Sequence, residues 1–144
     1  MKKTALSLLS IFALSACSQS DISITDRTEQ PCGDKPNCVS TQDIRNDFQL
    51  TEFWLIEGVT LTQIEEAALE LPGAETAAKQ DNYLRIECTT KLMRFVDDLE
   101  LKLADNQLVV RSESRLGHSD FGVNRERAEM LRSILAQKGL LLTK

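Results

Sequence analysis

The sequence predicts an α+β fold: an antiparallel sheet of four to five strands with two helices packed on one face. Three observations carry that expectation. Segments in which apolar and polar residues alternate, the mark of half-buried strands, follow one another between 75 and 115. Short turn signals join them, which makes neighbouring strands antiparallel. Stretches with helical apolar spacing stand before and after, so both helices can cover the same sheet face.

Taken in order, 48–56 is apolar enough for a further strand, although its phase is not clear. Thr60-Leu61-Thr62-Gln63 resembles a capping box, with Thr60 at the cap and Gln63 reaching back to it. Leu61, Ile64, Ala68 and Leu71 then share one helical face, and Pro72-Gly73 ends the helix. Strands are expected near 75–79, 83–90, 95–103 and 108–115, with Asp105-Asn106 as the hairpin turn between the last two. The second helix is expected over 123–138, burying Met130, Leu131, Ile134 and Leu135, with Gly139 closing it.

A turn at Asp105-Asn106 sets the register of that hairpin. Leu101 comes opposite Val110, Leu99 opposite Ser112, and Asp97 opposite Ser114, while Glu100 faces Arg111 on the other side. Phe95, Asp97, Leu99, Leu101 and Leu103 form the core face by alternation, which places a carboxylate, Asp97, among apolar residues. Asp98, Glu100 and Lys102 point the other way, where Asp98 is expected to be solvated. A buried Asp97 needs hydrogen bonds or a cationic partner to stay ionised.

The first residues carry a different message. Lys2 and Lys3 precede an apolar run from Ala5 to Leu14, the plan of a secretory signal peptide and too short for the ~20 residues of a membrane span. Leu14-Ser15-Ala16-Cys17 resembles the lipobox of bacterial lipoproteins. That resemblance implies a signal peptide over 1–16, diacylglycerol on the Cys17 sulfur, and anchorage by two or three acyl chains. Ser18 in place of an aspartate points to the outer membrane, with the domain facing the periplasm. Residues 17–30 read as the lipidated cysteine and a polar tether, and 31–144 as a single domain.

Composition narrows the partners. The formal net charge is −5, and removal of Lys2 and Lys3 makes it more acidic still. That argues against a nucleic-acid partner and against a surface lying flat on anionic lipid. With Cys17 given to lipid, Cys32 and Cys38 bracket a turn-rich segment and are expected to form a structural disulfide in an oxidising compartment. The Cys-x-x-Cys spacing of redox pairs is absent, and two thiolates without nearby histidines make a poor zinc site. Cys88, in phase with Leu84 and Ile86, is expected to be a buried, inert thiol.

Chemistry-bearing residues concentrate between Arg111 and Arg127, where a strand passes through a glycine loop into a helix start. This run resembles a bacterial lipoprotein and periplasmic family known only as domain of unknown function 1499. The matching pieces are Pro36-Asn37-Cys38-Val39-Ser40, Arg94-Phe95-Val96-Asp97-Asp98, Arg111-Ser112, Ser114-Arg115, Gly117, Asp120, Gly122, Asn124-Arg125 and Arg127. Gly33 departs from the usual proline after the first cysteine, and Cys88 and His118 are particular to this chain. The resemblance implies no assigned activity.

Two readings of the candidate residues Asp97, Arg111, Ser114, Arg115, Gly117, Asp120, Gly122, Asn124, Arg125 and Arg127 stay open. In the first they form a structural network in which Asp97 and Asp120 hold Arg115, Arg125 or Arg127. In the second, free helix N-terminal amides and arginines bind an anionic small molecule such as phosphate, a sugar acid or a lipid head group, or another envelope component. A small hydrolase using the loop from Ser114 to Asp120 is the alternative from another class, but no Gly-x-Ser-x-Gly elbow supports it. No catalytic residue, cofactor or metal site is assigned; arginines surround Asp97, Asp98 and Asp120, and the chain has one histidine.

Overall fold

A computed structural model describes residues 25–142. The chain order is β1 (Cys38–Ser40), β2 (Phe53–Trp54), α1 (Leu61–Ala68), β3 (Ala74–Gln80), β4 (Tyr83–Thr89), β5 (Val96–Ala104), β6 (Gln107–Ser114) and α2 (Val123–Gln137). The sheet is antiparallel throughout, in the order β1-β6-β5-β4-β3. β2 also pairs with β6, at the opposite end of that strand from β1.

Six strands therefore replace the expected four to five. The additional one, β1, has three residues and is too short for alternation to reveal. Of the apolar stretch 48–56, only Phe53–Trp54 forms a strand, flanked by isolated bridges at Gln49 and Leu55. The β5–β6 hairpin has the expected register, with Asp97 opposite Ser114, Leu99 opposite Ser112 and Leu101 opposite Val110. Asp105 adopts the left-handed conformation at its turn (φ 51°), as such two-residue connections require.

Both helices pack on the inner sheet face. Ile64, Ala67 and Ala68 of α1 and Ala128, Leu131 and Leu135 of α2 enclose Leu84, Ile86, Leu99, Leu101, Leu108 and Val110, together with Phe53 and Leu55. The capping box holds: the Thr60 hydroxyl accepts from the Gln63 amide, and the Thr60 amide donates to the Gln63 side chain. Gly73 follows with φ 68°; a Cβ there would collide with the Thr89 carbonyl oxygen, so only glycine closes this turn. Two expected core residues lie outside: Phe95 precedes the start of β5 and is 46% exposed, and Met130 is 44% exposed on the outer edge of α2.

The outer sheet face is also covered. Asp98 and Glu100, on the face expected to meet water, are 7% and 1% exposed. The chain before β1 lies across them. Thr28 is fully buried, Arg27 reaches Glu100 and Glu113, and Lys102 pairs with Asp26 and Glu29. The packed unit thus includes residues 26–29, which the sequence assigned to the tether.

The Cys32–Cys38 disulfide is formed, with Cα atoms 5.7 Å apart, and Asp43 ties its loop to the next one. The Asp43 carboxylate accepts from the Cys32 amide (2.9 Å), the Arg45 amide (3.0 Å) and the Arg45 guanidinium (2.7 Å). Those bonds, the Arg45 side chain first, hold Asp43 far below the usual carboxylate range. A carboxyl depressed in the folded state stabilises above its unfolded pKa, and that contribution disappears as pH falls through the folded value. Asp43→Asn should therefore cost about 1–2 kcal/mol at pH 7. The gap to the wild type should begin to narrow near pH ~4 and continue to close below it, as urea unfolding across pH would show.

Candidate functional site

The inner network begins where β5 starts and β6 ends. Asp97 is 3% exposed on the core face of β5, and its carboxylate takes a 2.6 Å bond from Arg127 on the second turn of α2. The other arm of Arg127 donates to the Ser112 hydroxyl (3.1 Å) and to the Asn124 side-chain oxygen Oδ1 (2.6 Å). Ser112 donates to the same Asn124 oxygen at 2.7 Å. Alternation placed Asp97 and Ser112 inward, and the helical i,i+3 relation brings Asn124 and Arg127 over them.

Asn124 is fully buried and its side-chain nitrogen is shared among the Asn37 carbonyl (3.0 Å), the Ser114 hydroxyl (2.9 Å) and Asp120 (2.7 Å). Asn37 in turn donates to the carbonyls of Ser114 and Gly117. The Asn124 side chain thus fastens α2 to the end of β6 and to the residue that leads into β1. The sequence signal for Asn37 is its place in the Pro36–Ser40 run, since no local pattern gives it a distant partner.

Asp120 decides what the helix start can do. Its carboxylate accepts the Gly122 amide (3.0 Å) and the Asn124 amide (2.9 Å), so the positive end of α2 already faces an anion of its own chain. Gly122 sits at φ 88°, which lets the loop turn into the helix. Arg125 does not meet Asp97 or Asp120. Its two terminal nitrogens donate to the backbone carbonyls of Gln49 (2.9 Å) and Asp47 (3.0 Å).

On the other sheet face lies a second network. Arg115 grips Asp98 through two bonds, at 2.9 and 2.7 Å, and also reaches Glu87. Arg111 is 4% exposed; it pairs with Glu113 (3.0 Å) and rests one nitrogen 2.9 Å from the Cys38 sulfur. Glu100 accepts from the Tyr83 hydroxyl (2.7 Å) and the Arg27 amide (3.2 Å). The ten candidate positions therefore do not form one site. Asp97, Ser114, Asp120, Asn124 and Arg127 meet on the inner side, Arg111 and Arg115 on the outer, Arg125 turns to the 47–49 backbone, and Gly117 and Gly122 shape the loop between.

A cleft of about 530 Å³ opens on the outer side, lined by Arg27, Lys35, Asp98, Glu113 and Arg115 among others, and the pairs above span its wall. His118 is exposed and bonds to neither Ser112 nor Ser114 among the described residues. Among those residues, no three His, Cys, Asp or Glu side chains converge as a metal would need. Cys88 is buried under Asp97 and Arg127, and burial pushes its thiol above the ordinary cysteine range. Cys17 lies outside the described residues.

The fold and the two networks define a disulfide-stapled α+β domain in which polar side chains cross-brace both faces of one sheet. The chain belongs to the family described as protein of unknown function DUF1499, whose model matches residues 30–135. That span takes in the disulfide, the inner network and the outer network apart from Arg27. No curated protein and no solved structure matches the chain.

Proposed function

We propose that the protein is a lipoprotein anchored through Cys17 to the outer membrane, presenting a rigid, non-catalytic binding domain to the periplasm. The geometric observation that supports it best is that the candidate charges are already engaged within the chain. Arg127 is taken by Asp97, Arg115 by Asp98 and Glu87, Arg111 by Glu113, and Arg125 by two carbonyls. The amides at the start of α2 are taken by Asp120. An anionic small molecule would have to displace an internal carboxylate, or for Arg125 two backbone carbonyls, so an envelope component contacting the outside of the domain is the favoured partner. The Cys32–Cys38 bridge suits an oxidising compartment.

Metabolic labelling with palmitate, followed by separation of the two membranes, tests the anchor. The wild-type chain should carry label and travel with the outer membrane. Cys17→Ser should lose the label entirely and remain as the longer precursor. Label that persists in Cys17→Ser, or a labelled chain confined to the inner membrane, would overturn the reading.

A further inference from the structure

Resting on that lipid-anchored reading, we infer that one end of the domain, formed by the β4–β5 and β6–α2 loops, contacts the bilayer surface. The register aligns Cys88, Asp97 and Ser114 in one row, so the loops that leave this row emerge at the same end of the sheet. That end carries strongly exposed apolar side chains among polar ones: Leu92 is 90% exposed, Met93 62% and Phe121 93%. Between the base of the β4–β5 loop and α2 opens a largely apolar groove of about 200 Å³, walled in part by Leu71, Pro72, Val123 and Met130.

The β4–β5 loop is built rather than collapsed. The Thr90 amide donates to the Phe95 carbonyl, the Phe95 amide to the Thr90 hydroxyl, and the Arg94 amide to the Thr90 carbonyl. Arg94 is held at φ 56°, the left-handed region a long side chain rarely enters. This closure projects Leu92 and Met93 at the tip with Lys91 and Arg94 on either side. Both cations are exposed and neither has an ion-pair partner among the described residues. Apolar tips flanked by cations match the bilayer interface, where acyl chains lie beneath a layer of phosphates.

Chain length favours the bilayer over other occupants. Asp26 lies 3.2 Å from Lys102, five residues along β5 from Asp97 and so ~17 Å from the apolar end. Cys17 precedes Asp26 by nine residues, a reach of up to ~30 Å. An acylated Cys17 therefore lets this end touch the membrane and keeps it at high local concentration there. The nearby carboxylate of Asp120 is committed to the α2 amides, and that of Glu87 to Arg115, while Glu126 stands at the groove rim. The contact is accordingly made by the loop tips, in keeping with the acidic balance of the whole chain.

The acylated protein in phosphatidylcholine–phosphatidylglycerol vesicles tests this. Leu92→Cys, or Asp81→Cys at the opposite end of the sheet, would carry a nitrobenzoxadiazole probe. Labelling is selective because Cys88 is buried and Cys32 is bonded to Cys38. Interfacial insertion reaches about 5–10 Å, so spin-labelled acyl chains should remove about half or more of the emission at position 92 and leave position 81 unchanged. Equal emission at both sites in vesicle-bound protein would overturn the inference while sparing the anchor. An emission change at 92 that follows protein density without acyl quenching would overturn it in favour of a second copy. A chain that leaves the vesicles altogether would overturn both readings.

Discussion

Asp97→Ala should destabilise the domain by about 3–5 kcal/mol, the range for removing one partner from a buried ion pair. Asp97 is 3% exposed and Arg127 9%, and their contact is 2.6 Å. Alanine would leave the guanidinium with only Ser112 and Asn124, both neutral and already bonded to each other. The energy at issue is the desolvation of an unpaired cation rather than the attraction in the intact pair. Asp97→Ala combined with Arg127→Met should accordingly recover much of the loss, since neither charge then remains buried. Urea unfolding of the single and double variants measures both effects. A single-mutant loss within ~0.5 kcal/mol would mean that Asp97 carries no structural pairing and that its site is open to a ligand.

Asp97 also shows how far residue order alone could be read. Alternation along 95–103 and the turn at Asp105-Asn106 were enough to set its face and its partner strand, because a one-residue slip would invert both faces of the hairpin. Which arginine it meets was not legible. Arg115, Arg125 and Arg127 were equivalent as sequence, and the path from β6 into α2 separates them. Arg115 ends on the outer face, Arg125 points at the 47–49 backbone, and only Arg127 returns over the sheet.

The outer face was misread for a related reason. Alternation tells which residues share a side, and Asp98, Glu100, Lys102, Arg111 and Glu113 looked like a water-facing row. Charged rows can be buried when their pairs are complete, and the cover here comes from residues 26–29, a polar stretch with no apolar periodicity. Hydrophobic pattern is silent about a segment that packs through salt bridges. The short strand β1 is too brief to show alternation, β2 takes up only two residues of the stretch expected as a strand, and Phe95 lies outside because the chain turns before β5 begins.

Glu100→Ala should be comparably destabilising, by about 3–5 kcal/mol, and should also loosen the segment that crosses the outer face. Glu100 is 1% exposed at the centre of that face. One oxygen accepts from the Tyr83 hydroxyl and the Arg27 amide; the other lies 2.9 Å from the Arg27 guanidinium and 3.8 Å from that of Arg111. Alanine would strand three donors at once. Tyr83 sits where burial and then Glu100 push its phenol well above the ordinary tyrosine value, so loss of the carboxylate should bring that titration down. Arg27, still paired with Glu113 but released from Glu100, should become open to trypsin under native conditions. Arg27→Ala should cost less, about 1–2 kcal/mol, since its side chain is partly exposed and water can reach the groups it leaves. Urea unfolding ranks the two variants, and timed trypsin digestion reads the segment directly. If Glu100→Ala unfolded like the wild type and resisted cleavage after Arg27, the outer-face charges would owe their burial to the backbone path alone, and their pairing would contribute nothing to holding residues 26–29 in place.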